Sequence, residues 1–151
     1  MKRLPLALAA LIGVATALPA AAQFAKPEDA VTYRKAAFQV MAAHFGRIGA
    51  MVNGHVPFDA AAAASNAEVA AFASKLPYAG FVEGTGAPEK GRPKANVWTD
   101  RANFDAAARK MQDEITKLAA VAKGGNQDQL KTAFGATAAS CKSCHDEYRN
   151  P

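Results

Sequence analysis

Between Leu130 and Tyr148 the side chains Leu130, Phe134, Thr137, Cys141, Cys144 and Tyr148 recur at intervals of four, three, four, three and four residues. That is the period of one face of an α-helix, and the segment shows no strand-like alternation. The only two cysteines of the chain therefore share one inward-facing stripe, three residues apart, with His145 directly after the second. The stripe is short of volume. Where a packed helix presents leucines, this one presents Thr137, Cys141 and Cys144, so side chains alone would fill the interior poorly. Something else is expected to complete the core.

Three earlier stretches carry the same period. The first opens at Pro27, a residue suited to the first helical position, with Glu28 and Asp29 favourable at the positive end of the dipole. It carries Val31, Phe38, Met41, Phe45 and Ile48 and closes near Asn53-Gly54. The second runs from about Asp59 to Lys75 with Val69, Phe72, Ala73 and Leu76 as its apolar stripe, and Pro77 stops it. Pro77 to Val97 holds Gly80, Gly84, Gly86, Pro88, Gly91 and Pro93; it reads as a loop long enough to have a function. The third helix opens near Thr99-Asp100, carries Phe104, Ala107, Met111, Ile115 and Leu118, and ends at the stop signal Gly124-Gly125. The fourth begins about Asn126. Four such helices predict an all-α fold, an antiparallel up-down-up-down four-helix bundle.

The N-terminus narrows the setting. Lys2 and Arg3, an apolar run from Leu6 to Leu18, and the small residues Ala20, Ala21 and Ala22 form a secretory signal peptide over 1–22, cut before Gln23. The run is too short for about 20 residues of bilayer core. The mature chain, 23–151, then forms one domain, bacterial and periplasmic, with no membrane attachment after cleavage. Of 18 Lys and Arg, two leave with the leader, and against 13 Asp and Glu this gives a formal charge of +3. The basic residues are scattered, with none of the clustering that marks a nucleic-acid surface.

Cys141-Lys142-Ser143-Cys144-His145 has the C-x-x-C-H spacing of c-type haem attachment. Residues three and four apart share a helix face, so both thiols can bond the haem vinyl groups while His145 offers an imidazole to the iron. Three other readings are weaker. A redox dithiol expects a helix N-terminus, where the dipole lowers a thiol pKa. A zinc site needs further ligands, and only His44 and His55 remain, at no recognisable spacing. A disulfide between such close neighbours closes almost no loop.

The words QFAKPEDAVTYRKAAF, AAHFGR, VWTD and AFGATAASCKSCHDEYR, with the motif so late in the chain, resemble the class II cytochromes c, and among them the cytochrome c′ family. The resemblance implies a four-helix bundle with one covalent haem c in its core. It implies that Arg34 reaches a haem propionate, with Lys35 beside it and Thr85 and Glu89 of the loop at the propionate edge, and that Arg149 stands near the proximal imidazole. It also implies NO binding, which can end on the proximal side after His145 is lost, a redox partner yet to be identified, and a homodimer through the first two helices.

The sixth iron position separates two functions. Only Asp146 to Pro151 follow the motif, so any sixth protein ligand comes from upstream. Where low-spin members of the family are ligated from the first helix, this chain has Phe38, which cannot coordinate. An apolar wedge and a five-coordinate, high-spin iron open to NO and CO follow. Met41, one turn on, is the rival: as a sixth ligand it would make a low-spin electron carrier. Met51 and Met111 are expected in the core, and His44 and His55 at the surface. Phe38 offers no acid-base group for peroxidase chemistry, so the chain is expected not to be an enzyme.

Overall fold

The structure, a computed structural model, describes residues 23–86 and 93–151. The expected leader, 1–22, and Glu89 lie outside the described residues. Helix α1 spans Pro27–Val52, α2 Ala60–Ala73, α3 Asn96–Thr99, α4 Arg101–Ala122 and α5 Gln127–Tyr148, with a 3-10 turn at Pro77–Gly80. Among the described residues there is no strand, only an isolated bridge between Pro93 and Arg149. Helix α1 packs on α2, α2 on α4, α4 on α5 and α5 back on α1, which closes the four-helix bundle.

Local chemistry sets the helix ends. Pro27 holds the first position of α1. The Asp59 carboxylate accepts from the Ala62 N–H at 2.9 Å, and the Asn126 side chain from the Gln129 N–H at 3.0 Å, each satisfying an amide that the helix leaves unpaired. Gly125 turns the chain between α4 and α5 at φ 68°, a conformation that favours glycine.

The expected stripe of the second helix requires correction. Phe72 is 67% exposed, and the buried face of α2 is Ala63, Ala67, Ala70 and Ala73. A helix so rich in alanine has no strong apolar face to read in its sequence. Its small residues let α1 and α4 approach closely, and the larger side chains are left outside. Helix α1 is likewise rotated from expectation at its start, where Ala30, Arg34 and Ala37 are buried and Val31 only partly so.

The lengths of the helices divide the bundle in two. At 26 and 14 residues, α1 and α2 are about 39 and 21 Å long, so α2 accompanies only part of its neighbour. Beside α2 lies a conventional core of Ile48, Met51, Val52, Ala63, Ala67, Ala70, Ile115, Leu118 and Leu130. Thr137 is fully buried at the boundary, its hydroxyl turned back to Ala133 O at 2.9 Å. Beyond the end of α2, the turn at 77–80 takes over as the wall. This needs glycine at position 80, where a Cβ would stand 2.5 Å from Ala30 O and 2.8 Å from Arg34 Cβ. Gly80→Ala should therefore cost about 1–3 kcal/mol through a backbone shift that no side-chain rotation relieves. Urea unfolding checks this, and a midpoint unchanged from the parent would contradict it.

Candidate cofactor site

In the half of the bundle that α2 does not reach lies a cavity of about 560 Å³, within the ~300–1,000 Å³ common for small-molecule and cofactor sites. No residue of α2 lines it. Helix α1 contributes Arg34, Lys35, Phe38, Gln39, Met41 and Ala42, and α4 contributes Phe104 and Met111. The turn and the segment before α4 add Tyr78, Phe81, Pro93 and Val97, α5 adds Cys141, Cys144, His145 and Tyr148, and Arg149 follows just past its end. The structure thus brings together Cys141, Cys144, His145, Phe38, Met41, Arg34, Lys35 and Arg149 from two distant parts of the sequence.

Aromatic rings form much of the wall. Phe81 lies 5.0 Å from Phe104 and 6.2 Å from Phe38, and Phe104 meets Tyr148 edge-on at 5.3 Å. Sequence reading missed Tyr78 and Phe81 as wall residues, because a glycine- and proline-rich loop has no period from which to infer a buried face. Burial, then the neighbouring Cys144, Cys141 and Asp105, pushes the Tyr78 hydroxyl well above its ordinary range, so it stays protonated.

The loop is fixed by side-chain donors aimed at its carbonyls. Arg34, 3% exposed, donates from Nη1 to Gly80 O at 3.0 Å and Thr85 Oγ1 at 2.8 Å, and from Nη2 to Thr85 O at 2.7 Å. Its guanidinium also lies 4.6 Å over the Phe81 ring. Arg101 Nη1 donates to Phe81 O at 3.0 Å and Trp98 Nε1 to Val82 O at 3.1 Å. Thr85 is itself buried; it meets Arg34 and is absent from the cavity wall.

Both thiols are half-buried on α5, free of any disulfide. Burial raises both pKa values; a hydrogen bond with Ser140 partly offsets this at Cys141, while Cys141 adds to it at Cys144. This is the opposite of a reactive dithiol, which needs a stabilised thiolate. His145 is exposed at the cavity mouth. Its pKa is held below the ordinary value by partial desolvation and then by the Arg149 charge, against a smaller pull from Asp146. The neutral imidazole so favoured is the form that ligates iron. A zinc site finds no support, since no group of three or more His, Cys, Asp or Glu side chains converges among the described residues. His44 is half-buried, its Nδ1 2.8 Å from Asn66 Oδ1 of α2, and His55 is exposed in the turn after α1.

A flat apolar ring with carboxylate substituents fits these walls. They are aromatic and aliphatic, two thiols and an imidazole stand on one side, and Arg34, Lys35 and Arg149 supply positive charge. Comparison with known proteins agrees. The sequence profile of the family described as Cytochrome C′ matches residues 29–149. The chain belongs to the cytochrome c′ family. It is 49% identical over 127 residues to cytochrome c′ of Alcaligenes xylosoxydans xylosoxydans, covering 84% of this chain and 98% of that one. With cytochrome c′ of Rubrivivax gelatinosus it shares 45% identity over 127 residues, 84% of this chain and 98% of the relative. The crystal structure of the Rubrivivax gelatinosus protein superposes with a TM-score of 0.79 at 44% identity, covering 85% of this chain and all of that one. A nitric oxide complex of a single-residue variant of the Alcaligenes xylosoxidans protein gives 0.78 at 47% identity, covering 85% and 99%.

As a cytochrome c′, the chain depends on the loop for one wall of its cavity. Thr85→Val removes an acceptor from buried Arg34 and a donor from Val82 O, which it meets at 2.6 Å. The expected loss is about 1–3 kcal/mol. Lys142→Ala, which breaks only an exposed ion pair with Asp146, should cost under ~0.5 kcal/mol. Parallel denaturant titrations check the contrast, and equal losses would contradict it.

Proposed function

We propose that this cytochrome c′ is an exported periplasmic protein whose Cys141 and Cys144 hold one haem c through thioether bonds, with His145 as the axial ligand of a five-coordinate iron. Its role is to bind NO and CO, to pass electrons, or both. The observation that carries this reading is the placement of both thiols and the imidazole on the α5 wall of a cavity whose α1 wall presents Phe38. Bound there, the haem supplies an iron that can take a diatomic ligand or exchange an electron.

Each wall residue has a distinct part. Phe38 brings no lone pair, and its ring packs edge-on against Tyr78 and Phe81 at 6.1 and 6.2 Å, so it occupies space without coordinating. Arg34 and Lys35 give carboxylate substituents a cationic neighbour; Thr85 takes part by holding Arg34. Arg149 keeps positive charge beside the imidazole. Phe38 offers no acid-base group of the kind peroxidase chemistry needs, which favours binding over catalysis. The nitric oxide complex of the Alcaligenes xylosoxidans relative supports NO as a ligand here. Exposed Val40 on α1 and Phe72 on α2 support a homodimer through these two helices.

Met41 supports one second reading, a low-spin electron carrier with Met41 as sixth ligand, because it lines the same cavity from the same helix. Against it, Met41 also packs on the alanine-lined core, a usual role for a flexible thioether. If Phe38 is the wedge, Phe38→Ala raises CO affinity by on the order of tenfold or more, equivalent to about 1.4 kcal/mol. Equilibrium CO titration of the ferrous protein measures it. An unchanged affinity would remove Phe38 from the account.

A further inference from the structure

The last four carbonyls of an α-helix have no partner within it. In α5 they belong to His145, Asp146, Glu147 and Tyr148, and every one is satisfied. The Arg149 N–H donates to His145 O at 3.0 Å as the chain leaves the helix. The other three are taken by Lys94, in the segment leading into α3, and by Asn96, the first residue of α3. Lys94 Nζ donates to Asp146 O at 2.8 Å, Asn96 Nδ2 to Glu147 O at 3.1 Å, and the Lys94 N–H to Tyr148 O at 2.9 Å. The same Nδ2 also donates to Glu147 Oε1 at 3.2 Å, and Pro93 pairs with Arg149. This strap is anchored at its far end by Val97, fully buried in a cluster that includes Phe104 and Tyr148. Asn96 Oδ1, by contrast, is buried without a hydrogen-bond partner among the described residues. Leaving it so is costly, and the asparagine is thereby committed to its donor side.

Terminal helical turns fray at little free-energy cost, and a ligand on a frayed turn is poorly held. His145 sits in the last turn of α5, three residues before its end. The geometry points to Lys94 and Asn96 as positioning residues for His145: the strap closes the last turn of α5 and so fixes the imidazole that faces the cofactor. The inference rests on the axial role of His145 proposed above. It adds that a segment about 50 residues upstream controls how firmly that ligand is held.

Asn96→Asp tests this with almost no change of shape, since it turns the donor into an acceptor facing Glu147 O and the Glu147 carboxylate. In the haem-loaded protein, backbone amides 146–149 should exchange with deuterium roughly tenfold faster, the change expected when one hydrogen bond is lost. The iron–imidazole stretching band of the ferrous protein, read by resonance Raman, should broaden or move to lower frequency. Asn96→Ala, which removes the donor without adding charge, should move both readings the same way. Ile115→Val, a loss of packing in the other half of the bundle, should move neither. Faster exchange with an unmoved band would make the strap merely structural and overturn the inference; so would no change in either reading. If the unsubstituted protein gives no iron–imidazole band, the five-coordinate reading proposed above fails and takes the inference with it.

Discussion

The premature end of α2 is the constraint from which the site follows. A helix of 14 residues set beside one of 26 leaves the bundle with three long walls and a gap. In the half that α2 reaches, alanines at 63, 67 and 70 allow close packing with Ile48, Ile115 and Leu118. In the other half the gap is closed by the turn at 77–80 and the residues after it, and the space they enclose is the cavity. Both halves depend on the same α1, α4 and α5, so the position of the cavity is tied to that of the packed core.

A loop used as a wall must satisfy its own backbone, because it lacks the internal ladder of a helix. Here Gly80, Phe81, Val82 and Thr85 each give a carbonyl to a side chain, from Arg34, Arg101, Trp98 and Arg34 again. The strap at 93–96 solves the converse problem at the end of α5. It supplies donors to carbonyls that the helix leaves over. Polar groups thus hold both irregular segments against a cavity whose inner surface is largely aromatic. Arg34 joins the two aspects, since it ties the loop to α1 while lining the cavity itself.

The sequence revealed what periodicity and spacing encode. The helices carrying Phe104, Met111 and Ile115, and Leu130 through Tyr148, stand where their apolar stripes predict, and the motif residues Cys141, Cys144 and His145 share the cavity. The face of α2 was illegible because alanine is small on every side, and the larger Phe72 suggested a stripe that is in fact exposed. Tyr78 and Phe81 were missed for a different reason: their burial depends on long-range hydrogen bonds from Arg34 and Arg101, which leave no local pattern. Thr85 was associated with the site through family resemblance, and the structure gives it a specific contact, the side chain of Arg34.

The central proposal is that α5 supplies the whole attachment and one axial ligand, while α1, opposite, presents Phe38 and supplies no ligand to the iron. The absorption spectrum of the ferrous protein, produced in a host that matures c-type haem and recorded before and after CO, tests it most directly. The account predicts a broad high-spin spectrum that NO alters and that CO alters slowly or weakly. A sharp, split low-spin spectrum indifferent to CO would contradict it and place a side chain such as Met41 on the iron.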